Sequence, residues 1–116
     1  RMNPRWVKIY DVSDAGPKAK RSINGVIFDN EYLLQYTRLK HAEDLFFLGT
    51  WHSHPSGSSL YPSGTDKSTM VMLSIYQEYG YYPVFIITKW ENQTFYLEIY
   101  ELNHHHEIVS REFISF

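Results

Sequence analysis

The chain has 116 residues and not one cysteine. A disulfide framework and a thiolate zinc site are both excluded, so any metal must be held by histidine, carboxylate or water. The same absence fits a reducing cytoplasm, where the protein is expected to work. No apolar run approaches the roughly 18–20 residues that a membrane span requires, so no membrane role is expected. No signal peptide is visible either. Basic charge is not in excess: 11 Lys and Arg stand against 13 Asp and Glu, a formal charge of −2. With no basic patch, electrostatic binding of nucleic acid is not expected. Aromatic residues, by contrast, are plentiful: ten Tyr, seven Phe and three Trp. They suffice to fill one core, and at this length a single domain is the natural expectation.

Residues 6–12, WVKIYDV, alternate apolar and polar and read as a strand. SDAGPKAKRS follows, where Gly16-Pro17 and the basic cluster at 18–21 read as an exposed, solvated loop. A short strand is expected around Val26–Phe28. NEYLLQYTRLKHAED then reads as a helix, with Asp29 or Asn30 as N-cap, Glu31 in the first turn, and Tyr32, Tyr36 and Leu39 at helical spacing. DLFFLGTWH is a continuous apolar run, expected as a central strand covered on both faces. Residues 65–79 read as a second helix ending at Gly80, with Tyr76, Tyr79, Tyr81 and Tyr82 as packing residues. YPVFIITKW, FYLEIYEL and IVSREFISF read as strands separated by the turns ENQT and NHHHE. The order β-β-α-β-α-β-β-β describes an α/β domain on a mixed sheet.

Chemistry concentrates in GTWHSHPSGSSLYPSGTDKST, residues 49–69. On a strand, His52 and His54 point to one face with Cα atoms roughly 6.5–7 Å apart, so their rings can converge on one ion. Pro55 ends the strand and starts a loop. Asp66, in the first turn of the next helix, projects back toward the strand end. Two imidazole nitrogens and one carboxylate oxygen form a recognised zinc set with a fourth position left for water. Ser63-Gly64-Thr65-Asp66 equally fits a capping box, which needs no metal. His104-His105-His106 lies in a turn, where exposed polar residues collect without metal geometry.

HSHPSGSSLYPSGTD resembles the signature of the JAMM (JAB/MPN-type) metalloproteases: HxH, a spacer, then SxxD. The spacer between His54 and Ser63 is eight residues, one more than the commonest form, which a loop absorbs at little cost. The preceding FFLGTWHSHP is similar to the family's apolar strand. The resemblance implies an α/β, JAB/MPN-type (cytidine-deaminase-like) domain, with a mixed curved β-sheet flanked by two helices. It implies one zinc ion held by His52, His54 and Asp66, with Ser63 beside the zinc-bound water to stabilise an oxyanion. Leu60 and Tyr61, apolar in a polar loop, are then candidates to touch an extended substrate tail, or else to pack back and order the loop.

Proteases of this kind cleave isopeptide or peptide bonds after the C-terminal tail of ubiquitin or a ubiquitin-like protein. The bacterial stand-alone versions accompany ubiquitin-transfer-like systems or process small sulfur carriers, so a ubiquitin-like protein or its conjugate is the expected partner. HPSG…PS..D also resembles the related RadC-type proteins, and a zinc-stabilised interaction module is the reading outside enzymes. The family further needs a glutamate upstream, on another strand, to move the proton. Glu31 and Glu43 are the only glutamates before His52, and both fall in or at the end of the expected helix. Either the chain is a fragment lacking the N-terminal helix and the catalytic-glutamate strand, which its Arg1-Met2 start favours, or it is an inactive relative. On both accounts it is expected to bind zinc and turn over poorly.

Overall fold

The computed structural model of the chain describes residues 8–22, 25–75 and 83–113. Its elements run β1 (Lys20–Ser22), β2 (Gly25–Ile27), α1 (Asn30–Ala42), β3 (Gly49–Ser53), α2 (Gly64–Ile75), β4 (Val84–Glu91), β5 (Thr94–Leu102) and β6 (Ile108–Arg111). Two compact units divide them, one spanning Trp6–Phe47 and the other containing Leu48–Phe116.

In the first unit, β1 and β2 form a small antiparallel hairpin, with Lys20 opposite Ile27. The strand expected at 6–12 is not there: residues 8–12 are irregular, and residues 6–7 lie outside the described residues. Alternation is only half of a strand, since the backbone must also find a ladder. Here Asp11 accepts the Val12 N–H at 2.8 Å, a local bond that competes with one, and pairs with Lys40 at 2.6 Å. The basic cluster, read as loop, supplies β1 instead. Helix α1 starts where expected. The Asp29 carboxylate caps it by accepting from Tyr32 N–H and also takes the Lys18 N–H, both at 3.1 Å. Gly16, at φ +98°, lies so close to this cap that a Cβ there would sit 2.6 Å from Asp29 Cβ. Glu31 occupies the first turn, and Glu43 ends the helix and pairs with Lys40 at 3.4 Å.

The second unit holds a four-stranded mixed sheet in the order β3-β4-β5-β6, with β3 parallel to β4 and the other pairs antiparallel. Helix α2 lies against it, and Met70 packs with Phe85, Ile87, Tyr100 and Leu102 into the core. Ile87 is 1% exposed. Ile87→Ala is expected to cost about 2–5 kcal/mol, the range for emptying such a site, read as a lower urea midpoint. The β4–β5 hairpin turns through Asn92 and Gln93, both at positive φ (51° and 61°), the backbone that a two-residue turn needs to match strand twist.

The strand that carries the histidines departs from expectation. The apolar run beginning at Asp44 becomes strand only from Gly49, and among the described residues β3 is an edge of its sheet. Trp51 is 45% exposed, not covered. A hydrophobic run reports burial in general; it does not say which edge of the run finds a partner. Register does decide orientation: His52 pairs with Ile87, so its side chain shares the face that α2 covers. The expected end of α2 at Gly80 and the tyrosines at 76–82 lie outside the described residues. No helix among the described residues is long and apolar enough to cross a membrane.

Candidate metal centre

Parallel pairing with β4 delivers both histidines. His52 sits opposite Ile87, and the ladder runs on past β3, with His54 N–H donating to Thr88 O at 2.7 Å. The i, i+2 spacing then puts the rings on one side, with centroids 5.0 Å apart. Their Nε2 atoms are 3.1 Å from one another. His54 is well sheltered, its side chain 13% accessible, whereas His52 at 36% opens toward solvent.

Asp66 arrives from the other direction, and its local fold explains why. Ser63 is the N-cap of α2: the Asp66 N–H donates to Ser63 Oγ at 3.1 Å, while the Ser63 N–H donates back to Asp66 Oδ2 at 2.9 Å. This reciprocal pair is a capping box. It also aims the carboxylate. Asp66 Oδ1 lies 3.1 Å from His52 Nε2, and Oδ2 lies 3.0 Å from His54 Nε2. The capping carboxylate, posed by the sequence as a rival to a metal ligand, is thus also the one that faces both histidines.

The two ring nitrogens are 3.1 Å apart and each meets its own Asp66 oxygen, so that one ligand atom from each residue lies within 4.8 Å of the other two in a His-His-Asp triangle. Tetrahedral zinc with bonds of 2.0–2.1 Å has ligand–ligand edges of about 3.3 Å, which the 3.1 Å between the two ring nitrogens approaches. His54 Nδ1 lies 2.7 Å from Ser59 O. A carbonyl can only accept, so Nδ1 carries a hydrogen, and Nε2, beside the Asp66 carboxylate, is the nitrogen left to ligate a metal. These three residues could therefore hold a metal ion, and among the described residues they form the only such group.

Burial pushes the Asp66 carboxyl up, but the Ser63 N–H, the charge of His52, and bonds with His54 and the Ser63 hydroxyl outweigh it. The net result is a carboxyl below its ordinary 3.8. A depressed folded pKa means that ionised Asp66 stabilises the metal-free fold fully above pH 3.8 and less as pH falls through the lower folded value. Metal-free Asp66→Asn is expected to show a shallower loss of melting temperature below about pH 4 than the parent protein.

Other candidate residues separate clearly. Leu60 packs against the core, and its carbonyl accepts from Tyr100 Oη at 3.1 Å. Tyr61 stays 56% exposed, stacked edge-on against Tyr100 with centroids 5.9 Å apart. The three consecutive histidines sit on an exposed turn organised by Asn103, whose Oδ1 accepts the N–H groups of His105 and Glu107 at 2.9 and 3.0 Å. Sequence reasoning passed over Ser59, Lys89 and Glu91. The Lys89-Trp90-Glu91 alternation puts two opposite charges on one strand face, the one available signal, but nothing in it names the loop they touch.

A model of the family described as prokaryotic homologs of the JAB domain matches residues 5–100. No curated protein matches the chain at a significant level. The match takes in both histidines, the capping box and most of the mixed sheet. With two helices, a mixed four-stranded sheet and a His-His-Asp group fit for a metal, the chain belongs to the prokaryotic JAB-domain family.

Proposed function

We propose that the protein is a zinc-dependent peptidase or isopeptidase that cleaves after the C-terminal tail of a ubiquitin-like protein. In this reading it works in the cytoplasm beside a ubiquitin-transfer-like system. The observation that carries the proposal is the triangle of His52, His54 and Asp66 on a chain of the JAB family. Zinc held by such a set acts as a Lewis acid and lowers the pKa of bound water to about 7, which suits hydrolysis at neutral pH.

The chain's own groups divide the remaining work. His52 and His54 offer Nε2 lone pairs, and Asp66 supplies the negative charge. Ser63 Oγ accepts from the Asp66 N–H, and in this reading its hydroxyl hydrogen turns from the Asp66 carboxylate to an oxyanion forming on the substrate carbonyl. Tyr61 presents apolar surface to an extended tail, and Leu60, packed on the core, is the base that holds it there. Ser63→Ala is expected to lower turnover about 10²–10³-fold, the usual cost of one oxyanion donor, with metal retained.

The test is incubation of the zinc-loaded protein with fusions of a ubiquitin-like protein to a reporter. Cleavage after the tail, abolished by chelator and restored by zinc, supports the proposal. Zinc-loaded protein that cleaves no fusion, together with partner capture that survives His52→Ala, would overturn it in favour of an interaction module.

A further inference from the structure

Residues 55–59 read Pro-Ser-Gly-Ser-Ser, a loop with no bulky side chain to fix its own path. Gly57 adopts φ +86°, with open space where a Cβ would be. Yet the carbonyl that ends this stretch must be held accurately. Ser59 O accepts His54 Nδ1–H at 2.7 Å and thereby sets which nitrogen faces the triangle. Inside the loop the Ser58 N–H donates to Pro55 O at 3.1 Å, and groups outside the loop also hold it.

Two charged side chains at the end of β4 do so. Lys89 and Glu91 are two residues apart on a strand and share a face. The Glu91 carboxylate accepts from the Gly57 N–H and, at 3.3 Å, from Ser56 Oγ. Lys89 Nζ donates to Ser58 O at 2.8 Å. The pair is neutralised internally, Nζ lying 3.2 Å from Glu91 Oε2, and the ammonium also sits over the Tyr96 ring. Three consecutive loop residues are thus gripped by two neighbouring side chains, and the fourth orients the histidine. The Gly57 N–H and Lys89 hold the Glu91 carboxyl below its ordinary 4.5, so it is ionised throughout the neutral range.

We propose that Lys89 and Glu91 are positioning residues for the metal centre, fixing the Nδ1–H tautomer of His54 through the 55–59 loop and the Ser59 carbonyl. The proposal rests on the metal-site reading given above for its consequence, but not for its geometry. Partners that orient a ligating histidine typically change metal affinity about 10–100-fold when removed.

Two readouts judge it. The first is which ring nitrogen of His54 carries hydrogen in the metal-free protein, read from long-range ¹H–¹⁵N spectra. The parent is expected to show His54 protonated at Nδ1, and both Glu91→Ala and Lys89→Met to show a mixture with the Nε2–H form. The second is zinc affinity, measured by competition with a chromophoric chelator, expected to fall about 10–100-fold in both variants. Glu91→Gln keeps an oxygen for the Gly57 N–H and is expected to recover most of the tautomer preference, which a general loss of stability would not explain. Folded Glu91→Ala and Lys89→Met proteins with parental His54 spectra would overturn the proposal. If the parent binds no zinc, the metal reading fails, and the tautomer spectra still decide this one.

Discussion

His54→Ala should strip near-stoichiometric zinc from the purified protein and weaken zinc binding by more than about 100-fold. That lower bound follows because losing a mere supporting partner of a ligand already costs about 10–100-fold, and on the proposed assignment a ligand itself is lost. His52→Ala should behave alike. The two substitutions differ in what else they remove: His54 also donates to Ser59 O at 2.7 Å, whereas His52 is the more accessible ring. His54→Ala is therefore expected to loosen the loop as well, and His52→Ala to leave it ordered. His105→Ala, on the exposed turn, should change nothing. Elemental analysis beside a circular dichroism spectrum decides the matter. A folded parent protein that carries no zinc after loading would sink the ligand assignment.

The second large effect concerns a residue that touches no ligand. Gly49 opens β3 opposite Val84, and a Cβ placed on it would lie 1.7 Å from the Val84 carbonyl oxygen. No rotamer change relieves a clash with backbone. Gly49→Ala must therefore push β3 away from β4 or out of register, at a cost of about 3 kcal/mol or more, the upper end for overpacking. Zinc affinity should drop with stability, because β3 aims His52. Gly64→Ala is the control: open space surrounds that position, at the start of α2. Its effect should stay within about 1 kcal/mol, with the sign favouring the helix. Denaturation curves for the two variants, side by side, would reveal whether the predicted asymmetry exists.

Much of the centre is legible in the sequence alone, for a physical reason. HxH at a strand end and SxxD at a helix start are local patterns, and the geometry they impose is local too: period two on the strand, a capping box on the helix. The order of elements is legible by the same kind of signal. What escapes depends on partners distant along the chain. WVKIYDV alternates well, but residues 8–12 meet no ladder, while the unpromising Lys20–Ser22 pairs with Gly25–Ile27. Asp44 to His52 is apolar enough for a central strand, yet only Gly49–Ser53 pairs, at an edge among the described residues. The grip of Lys89 and Glu91 on residues 56–58 spans more than thirty positions, and a single sequence carries no trace of such a contact.

The double duty of Asp66 has a consequence for reading relatives of this chain. Its carboxylate accepts the Ser63 N–H in the capping box, so helix α2 has its own reason to retain an acid there. A descendant that abandoned metal altogether would still gain about 1 kcal/mol from the cap. An SxxD segment alone is thus a poor marker of a working centre, since folding selects for it independently. The informative position is His52, which has no comparable architectural claim: among the described residues, its ring meets the other two members of the triangle. Where a homologue has lost that histidine but kept the Ser-Asp pair, what survives is a helix start, not a vestigial metal site.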